Sequence, residues 1–77
     1  MSKQSIEECV KKSLENYFRD LGGEPARDVY EMVMLTVEKP VLEVVMAEAS
    51  GNQSVAAEIL GINRNTLRKK LRLHKLH

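Results

Sequence analysis

The middle of this chain holds a segment that is too apolar to form a helix with one side in water. Asp28 and Glu31 have the spacing of a capping box, and nothing ends the apolar pattern decisively before Gly51. We therefore predict a long helix over about residues 28–49. Its apolar side chains would cover nearly the whole circumference: Met32, Val33, Met34, Leu35, Val37, Val41, Leu42, Val44, Val45 and Met46. A helix that is apolar all round must be surrounded by other protein.

The preceding segment predicts an amphipathic helix over about residues 6–21. Its apolar residues recur every three or four positions and form one stripe: Ile6, Cys9, Val10, Leu14, Tyr17, Phe18 and Leu21. Ser5 and Glu8 have the spacing of a capping box, and Gly22 with Gly23 supplies the stop. One amphipathic helix cannot surround the long helix.

A second copy of the chain would supply the missing cover. A chain of 77 residues buries only about 60–65% of the surface that its unfolded form exposes, so a lone monomer would be marginal. Two chains that cross their long helices, with the first helix of each packed across the pair, would bury both stripes. We predict an all-α fold in which residues 1–49 form the core of an obligate, intertwined homodimer.

Pro40 lies inside the long helix. It has no N–H group for the carbonyl of Thr36, so we expect a kink there. Two separate helices are the alternative.

Shorter helices are predicted in the last third of the chain. Asn52 or Ser54 can cap a helix that runs to about Leu60, Gly61 can take a tight turn, and Asn63 can cap the next helix. Two helices joined by a short turn with glycine form a helix-turn-helix unit.

This unit would occupy residues 50–77 and complete four helices per subunit in a single domain. Ala57 is the small residue at the close approach of the two helices. The apolar residues beneath are Leu60, Ile62, Leu67 and Leu71.

Positive charge is concentrated at the C-terminal end. The chain up to Asn63 has six Lys or Arg and eleven Asp or Glu, whereas the remainder has six Lys or Arg and no acid. Arg64, Arg68 and Arg72 recur every four residues and form a ridge opposite the leucines of the last helix. A helix fits the DNA major groove, about 12 Å wide, where Arg can donate two hydrogen bonds to guanine. The alternative, a solvated basic face, is disfavoured by the missing acids.

We predict Arg64 and Arg68 as readers of base edges, and Lys69, Lys70 and Arg72 as phosphate contacts. Backbone N–H groups at helix N-termini also favour anions. The polar residues near the two predicted N-termini are Asn52, Ser54, Asn63 and Thr66. The acidic remainder of the chain would confine DNA to one face.

Other functions have little support in the sequence. The carboxylates lack a neighbouring constellation of His, Ser or Cys and a Gly-rich phosphate loop, so no enzyme is predicted. Cys9 is assigned to packing. His74 and His77 lie on a tail expected to fray, so we predict no metal or cofactor and only a weak attraction for phosphate. With one cysteine, no signal peptide and no membrane-spanning stretch, the chain is predicted to be cytoplasmic and to bind no membrane.

The sequence GNQSVAAEILGINRNTLRKKL, residues 51–71, resembles the DNA-binding segment of the Fis family of bacterial nucleoid-associated proteins, named for the factor for inversion stimulation. The stretches NYF and VEKPVLEVVM resemble the rest of the family's core, and the resemblance covers about residues 5–71. It implies an intertwined all-helical homodimer that binds and bends double-stranded DNA with a tolerant sequence preference. It also implies a global transcriptional regulator in the nucleoid.

The resemblance further implies roles for the residues that match in type. Those expected to approach base edges are Asn63, Arg64 and Arg68. Those expected to contact the DNA backbone are Asn52, Ser54, Thr66, Lys69, Lys70 and Arg72. Family dimers hold their recognition helices closer together than the ~34 Å of one DNA turn, so the duplex must bend for both to dock.

Two departures from the family are visible. Only five residues precede the predicted first helix, so the N-terminal arm that contacts recombinases in longer members is missing, and we expect no recombinase stimulation. Leu73 stands where the family usually has a further base.

Two other functions stay open. One is the C-terminal DNA-binding domain of an enhancer-binding activator of the nitrogen-regulation type, which the short chain beginning with Met1 disfavours. The other is a dimeric helical adaptor whose basic end binds an acidic protein.

Overall fold

The computed structural model describes residues 3–76, which form four helices and no strand within that range. Helix α1 is Lys3–Leu21, α2 is Val29–Glu48, α3 is Gln53–Leu60 and α4 is Arg64–Leu73. The predicted all-α fold is confirmed. No helix within the described residues is both long and apolar enough to cross a membrane.

The first two helices begin differently from the prediction. α1 begins at Lys3, so Ser5 lies inside its first turn and not at the position before the helix. Asp28 precedes α2 with φ 53° and ψ 33°, and its side chain makes no capping hydrogen bond. A capping side chain reaches the first N–H groups from an extended backbone. The left-handed conformation of Asp28 therefore explains why the predicted capping box does not form.

α2 continues through Pro40 as one helix, so the alternative of two separate helices is wrong. One turn before the proline, the hydroxyl of Thr36 donates to the carbonyl of Met32 at 2.7 Å. The bond lies next to the position where Pro40, which has no N–H group, cannot donate to the carbonyl of Thr36. The kink at Pro40 stays a prediction.

α3 and α4 form the helix-turn-helix unit. The side-chain oxygen of Asn52 caps α3 by accepting from the N–H groups of Ser54 and the next residue at 3.0 and 3.1 Å. Gly61 adopts φ 73° in the turn, a conformation that a residue with a side chain adopts only at a cost. Asn63 caps α4 by accepting from the N–H group of Asn65 at 2.7 Å.

The buried core lies between the C-terminal half of α2 and this unit. Its members are Leu42, Ala49, Ala56, Ala57, Leu67 and Leu71. Partly buried residues pack against it: Val45, Met46, Leu60, Ile62 and Leu76. The predicted close approach at Ala57 and the predicted apolar layer beneath the turn are therefore present. This core fixes the position of α4 relative to α2.

α1 contributes no residue to that core among the residues described. α1 and α2 instead line an open apolar groove of about 840 Å³. Residues along it include Ile6, Cys9, Val10, Leu14, Tyr17, Met32, Val33, Val37, Val41 and Val44. Several of them are exposed in the single chain, with Ile6 at 51% and Val44 at 62%. The stripes predicted to meet a second copy thus lie open on one side of the molecule.

Candidate nucleic-acid interface

The outer face of α4 is basic and exposed. The helix contains no acidic residue. Its exposed bases are Arg64, Arg68, Lys69 and Arg72. Leu67 and Leu71 of the same helix are 0% and 1% exposed. Because the leucines anchor the helix by one face, the arginines predicted as a ridge are directed away from the core.

The N-termini of α3 and α4 bring more of the predicted contact residues together. Ser54 Oγ accepts from Arg64 Nη1 at 3.3 Å, so a predicted phosphate contact and a predicted base reader lie side by side. Thr66, in the first turns of α4, is exposed. Asn52 and Asn63 use their side-chain oxygens for capping. Their NH₂ groups remain as donors for an outside acceptor.

Lys70 has a different environment from the other predicted contacts. Its Nζ atom lies 2.7 Å from Oε2 of Glu38 on α2, and the two side chains are 36% and 24% exposed. Lys70 is half-buried beside Leu67 and Leu71, whereas Arg68, at the mirror-image spacing from the two leucines, is exposed. Spacing places Lys69 away from the two leucines, but only the packing of α4 on α2 distinguishes Lys70 from Arg68. Its predicted contact with the DNA backbone stays a prediction.

His74 is the second partner of Glu38. Its Nε2 atom lies 2.8 Å from Oε1 of Glu38, and its side chain is only 9% exposed. The tail predicted to fray is hydrogen-bonded as far as Leu76, whose N–H group donates to the carbonyl of Leu71 at 2.8 Å across the end of the helix. The apolar side chain of Leu76 also packs on the core. His77 lies outside the described residues.

Glu38 lies in the VEKPVLEVVM stretch but was not identified from the sequence, because its partners are 32 and 36 residues away along the chain. The hydrogen bonds from Lys70 and then His74 hold the pKa of the Glu38 carboxyl below its ordinary value of 4.5, while partial burial acts in the opposite direction. The carboxylate is thus held in its charged form between α2 and the end of α4. Elsewhere in residues 3–76, no group of three or more His, Cys, Asp or Glu side chains is placed to hold a metal ion.

Comparison with known proteins decides the family. The family model described as bacterial regulatory protein, Fis family, matches residues 34–73, which is more than half of the chain. A Fis-like DNA-binding protein of Ralstonia nicotianae is 58% identical over 76 residues, which are 99% of each chain. The chain belongs to the Fis family.

Further Fis-family relatives extend the similarity. A Fis-like DNA-binding protein of Neisseria meningitidis is 54% identical over 71 residues, covering 92% of this chain and 90% of the relative. The DNA-binding protein Fis of Proteus mirabilis is 43% identical over 77 residues, covering 100% of this chain and 79% of the relative. The part matched by the Fis family model, residues 34–73, contains every residue predicted to contact DNA, and it also contains Glu38.

Replacing Glu38 by Gln should lower the free energy of unfolding at neutral pH by up to about 1 kcal/mol, because the ion pair is partly exposed. The pKa of Glu38 is lowered by folding, so as the pH falls the unfolded chain takes up the proton first. The difference in the free energy of unfolding between the unaltered protein and Glu38→Gln should be fully present above pH 4.5, the ordinary pKa of the carboxyl. It should vanish as the pH falls through the lower pKa of the folded state.

Denaturant unfolding at a series of pH values measures this difference. Glu43→Gln, which removes an exposed carboxylate from the same helix, is the control. Equal losses of stability in the two variants at every pH would contradict the assignment.

Proposed function

We propose that this protein is a homodimer that binds and bends double-stranded DNA and acts in the bacterial nucleoid as a transcriptional regulator. The observation that carries the proposal is the exposed, acid-free basic face of α4, anchored by two buried leucines in a helix-turn-helix unit. The relatives named DNA-binding protein Fis and Fis-like DNA-binding protein support it. Residues 1–49 would form the dimer and residues 50–77 would contact DNA.

In this proposal the N-terminal part of α4 enters the major groove. Arg64 and Arg68 would donate paired hydrogen bonds to guanine, and Asn63 at the start of the helix would reach a neighbouring base edge. The bond between Arg64 and Ser54 supports this role for Arg64. A side chain that is already partly ordered loses less conformational entropy when it binds.

The DNA backbone would be held by polar and basic groups around the readers. The proposed contacts are Asn52, Ser54, Thr66, Lys69 and Arg72. The helix N-termini near Asn52 and Asn63 add partial positive charge and N–H donors that favour phosphate. Lys70 differs from these residues because it already has an anionic partner, Glu38.

The open groove between α1 and α2 supports a homodimer. Monomeric proteins rarely expose large contiguous apolar patches. The groove combines apolar side chains from both helices, and Val41 and Val44 are 42% and 62% exposed. Two copies related by a twofold axis would cover the same groove on each other.

Bending follows from the spacing of the two recognition helices. Successive turns of a straight duplex present the major groove ~34 Å apart. As the family resemblance implies, recognition helices held closer than this can both dock only on a bent duplex with a compressed central minor groove. The sequence preference would then depend partly on how easily a site deforms, which fits a tolerant, global regulator.

An electrophoretic assay with circularly permuted duplexes tests the proposed function directly. We expect a complex of two chains per duplex whose mobility varies with the position of the site, since a bend near the middle slows migration most. A complex with one chain, or a mobility that does not depend on position, would contradict dimeric bending. Failure to bind any duplex would contradict DNA binding itself.

Alanine substitution of the proposed contacts should distinguish residues that contact base edges from residues that contact phosphate. Arg64→Ala and Arg68→Ala should each weaken a preferred site by about 1–3 kcal/mol per half-site and reduce base preference. Lys69→Ala should weaken binding to all sequences alike, because phosphate carries no sequence information. Titration of each variant against a preferred and a scrambled duplex measures both effects. Identical behaviour of the three variants would show that this division of roles is wrong.

Replacing Val44 by Asp tests the dimer. A charge in the proposed interface should abolish the dimer and unfold the protein, since the chain would leave its apolar groove uncovered. The matched control is Ile59→Asp, because Ile59 is 55% exposed on α3 and does not line the groove. Sedimentation measures whether the protein is a dimer, and far-UV circular dichroism measures whether it is folded. A folded, monomeric Val44→Asp protein would rule out obligate dimerisation.

A further inference from the structure

Two adjacent lysines of α4 have different electrostatic surroundings. Lys69 is exposed, and among the described residues no carboxylate lies within ion-pair distance of it. Lys70 is partly buried and lies 2.7 Å from the Glu38 carboxylate. A carboxylate and a phosphate oxygen are both anionic acceptors for the three N–H donors of a lysine. In the unbound protein Lys70 therefore already has an anionic acceptor of the kind that a DNA phosphate would offer.

We propose that Glu38 competes with the DNA backbone for Lys70 and so limits the part of the affinity that does not depend on sequence. This inference rests on the proposed function, since it concerns DNA binding. A lysine that is already neutralised by a carboxylate must exchange one anion for another to contact phosphate. It therefore adds little to the release of counterions that drives non-specific binding.

The geometry keeps the Glu38 carboxylate in place. Its second oxygen is bound by His74 at 2.8 Å, and the His74 side chain is 9% exposed. One turn further along α2, Leu42 is 2% exposed in the core that also holds α4. The carboxylate is thus held from two sides on a face that packs against α4. Since Lys70 lies on that same packed face, the pair forms without any movement of the helices.

The competition acts on phosphate contact and leaves the contacts to base edges unaltered. Arg64 and Arg68, the proposed base readers, lie on the exposed side of α4 and are not contacted by Glu38. Glu38 would therefore lower the affinity for every sequence by the same factor at phosphate while leaving base readout intact. The ratio of the affinities for preferred and other sites would stay the same, and only the salt-dependent part common to both would fall.

The test compares the salt dependence of DNA binding in the unaltered protein, Glu38→Gln, Lys70→Met and the double variant. Glu38→Gln should release one lysine per subunit for phosphate. The slope of log affinity against log salt should then become steeper by about 1.8 per dimer, or about 0.9 for each phosphate contacted. Between 200 and 50 mM salt, the affinity of Glu38→Gln relative to the unaltered protein should rise about tenfold. In the Lys70→Met background, Glu38→Gln should change nothing.

Controls make each result decisive. Glu43→Gln removes an equal charge from the same helix and should leave the slope unchanged. Lys69→Met should flatten the slope by about 1.8 per dimer, and Lys70→Met by clearly less. This lysine comparison tests the proposal even if Glu38→Gln folds poorly by circular dichroism.

Two outcomes would overturn this inference but not the proposed function. One is a salt slope in Glu38→Gln equal to that of the unaltered protein. The other is a steeper salt slope when Glu38→Gln is added to Lys70→Met. If the unaltered protein itself bound DNA without salt dependence, the proposed function would fail, and that result is distinguishable because it does not involve Glu38.

Discussion

The packing of Leu67 and Leu71 into the core determines which way the last helix faces. Both leucines are essentially inaccessible to solvent, and they meet Leu42 of α2 and the small residues Ala56 and Ala57 of α3 in one cluster. Because side chains around a helix have fixed angular positions, anchoring these two also sets the direction of every base on α4. The exposed arginines and the half-buried Lys70 both depend on this packing.

The same packing leaves much of the long helix uncovered. The core uses α2 from Leu42 to its C-terminal end, whereas the side shared with α1 lines an open groove. A helix that is apolar on most sides can satisfy one side within its own chain, and the other needs a second molecule. The groove and the basic face would therefore be linked in function. A dimer formed through the groove would set the distance between the basic faces of its two α4 helices.

Glu38 connects these two parts of the molecule. It lies on the long helix but binds the inner side of α4 through Lys70 and the end of α4 through His74. Apolar side chains hold α4 against α2 only by the fit of their shapes. The charged hydrogen bonds of Glu38 also fix the orientation of α4, because they require a particular geometry. Glu38 also removes one lysine from the charge that the helix presents outward. The basic face is therefore smaller than a count of lysines and arginines indicates.

The sequence by itself determined the all-α class, the helix-turn-helix unit and the family. These depend on periodicity, on caps such as Asn52 and Asn63 and on local resemblance, all of which act between residues close in the chain. The structure alone decided the left-handed backbone at Asp28 and the continuity of α2 through Pro40, because each depends on how the surrounding chain is held. It also decided the partners of Glu38, which are Lys70 and His74, 32 and 36 residues away along the chain. Local spacing shows which face a side chain occupies, but only the packing of one helix on another shows which charge it meets.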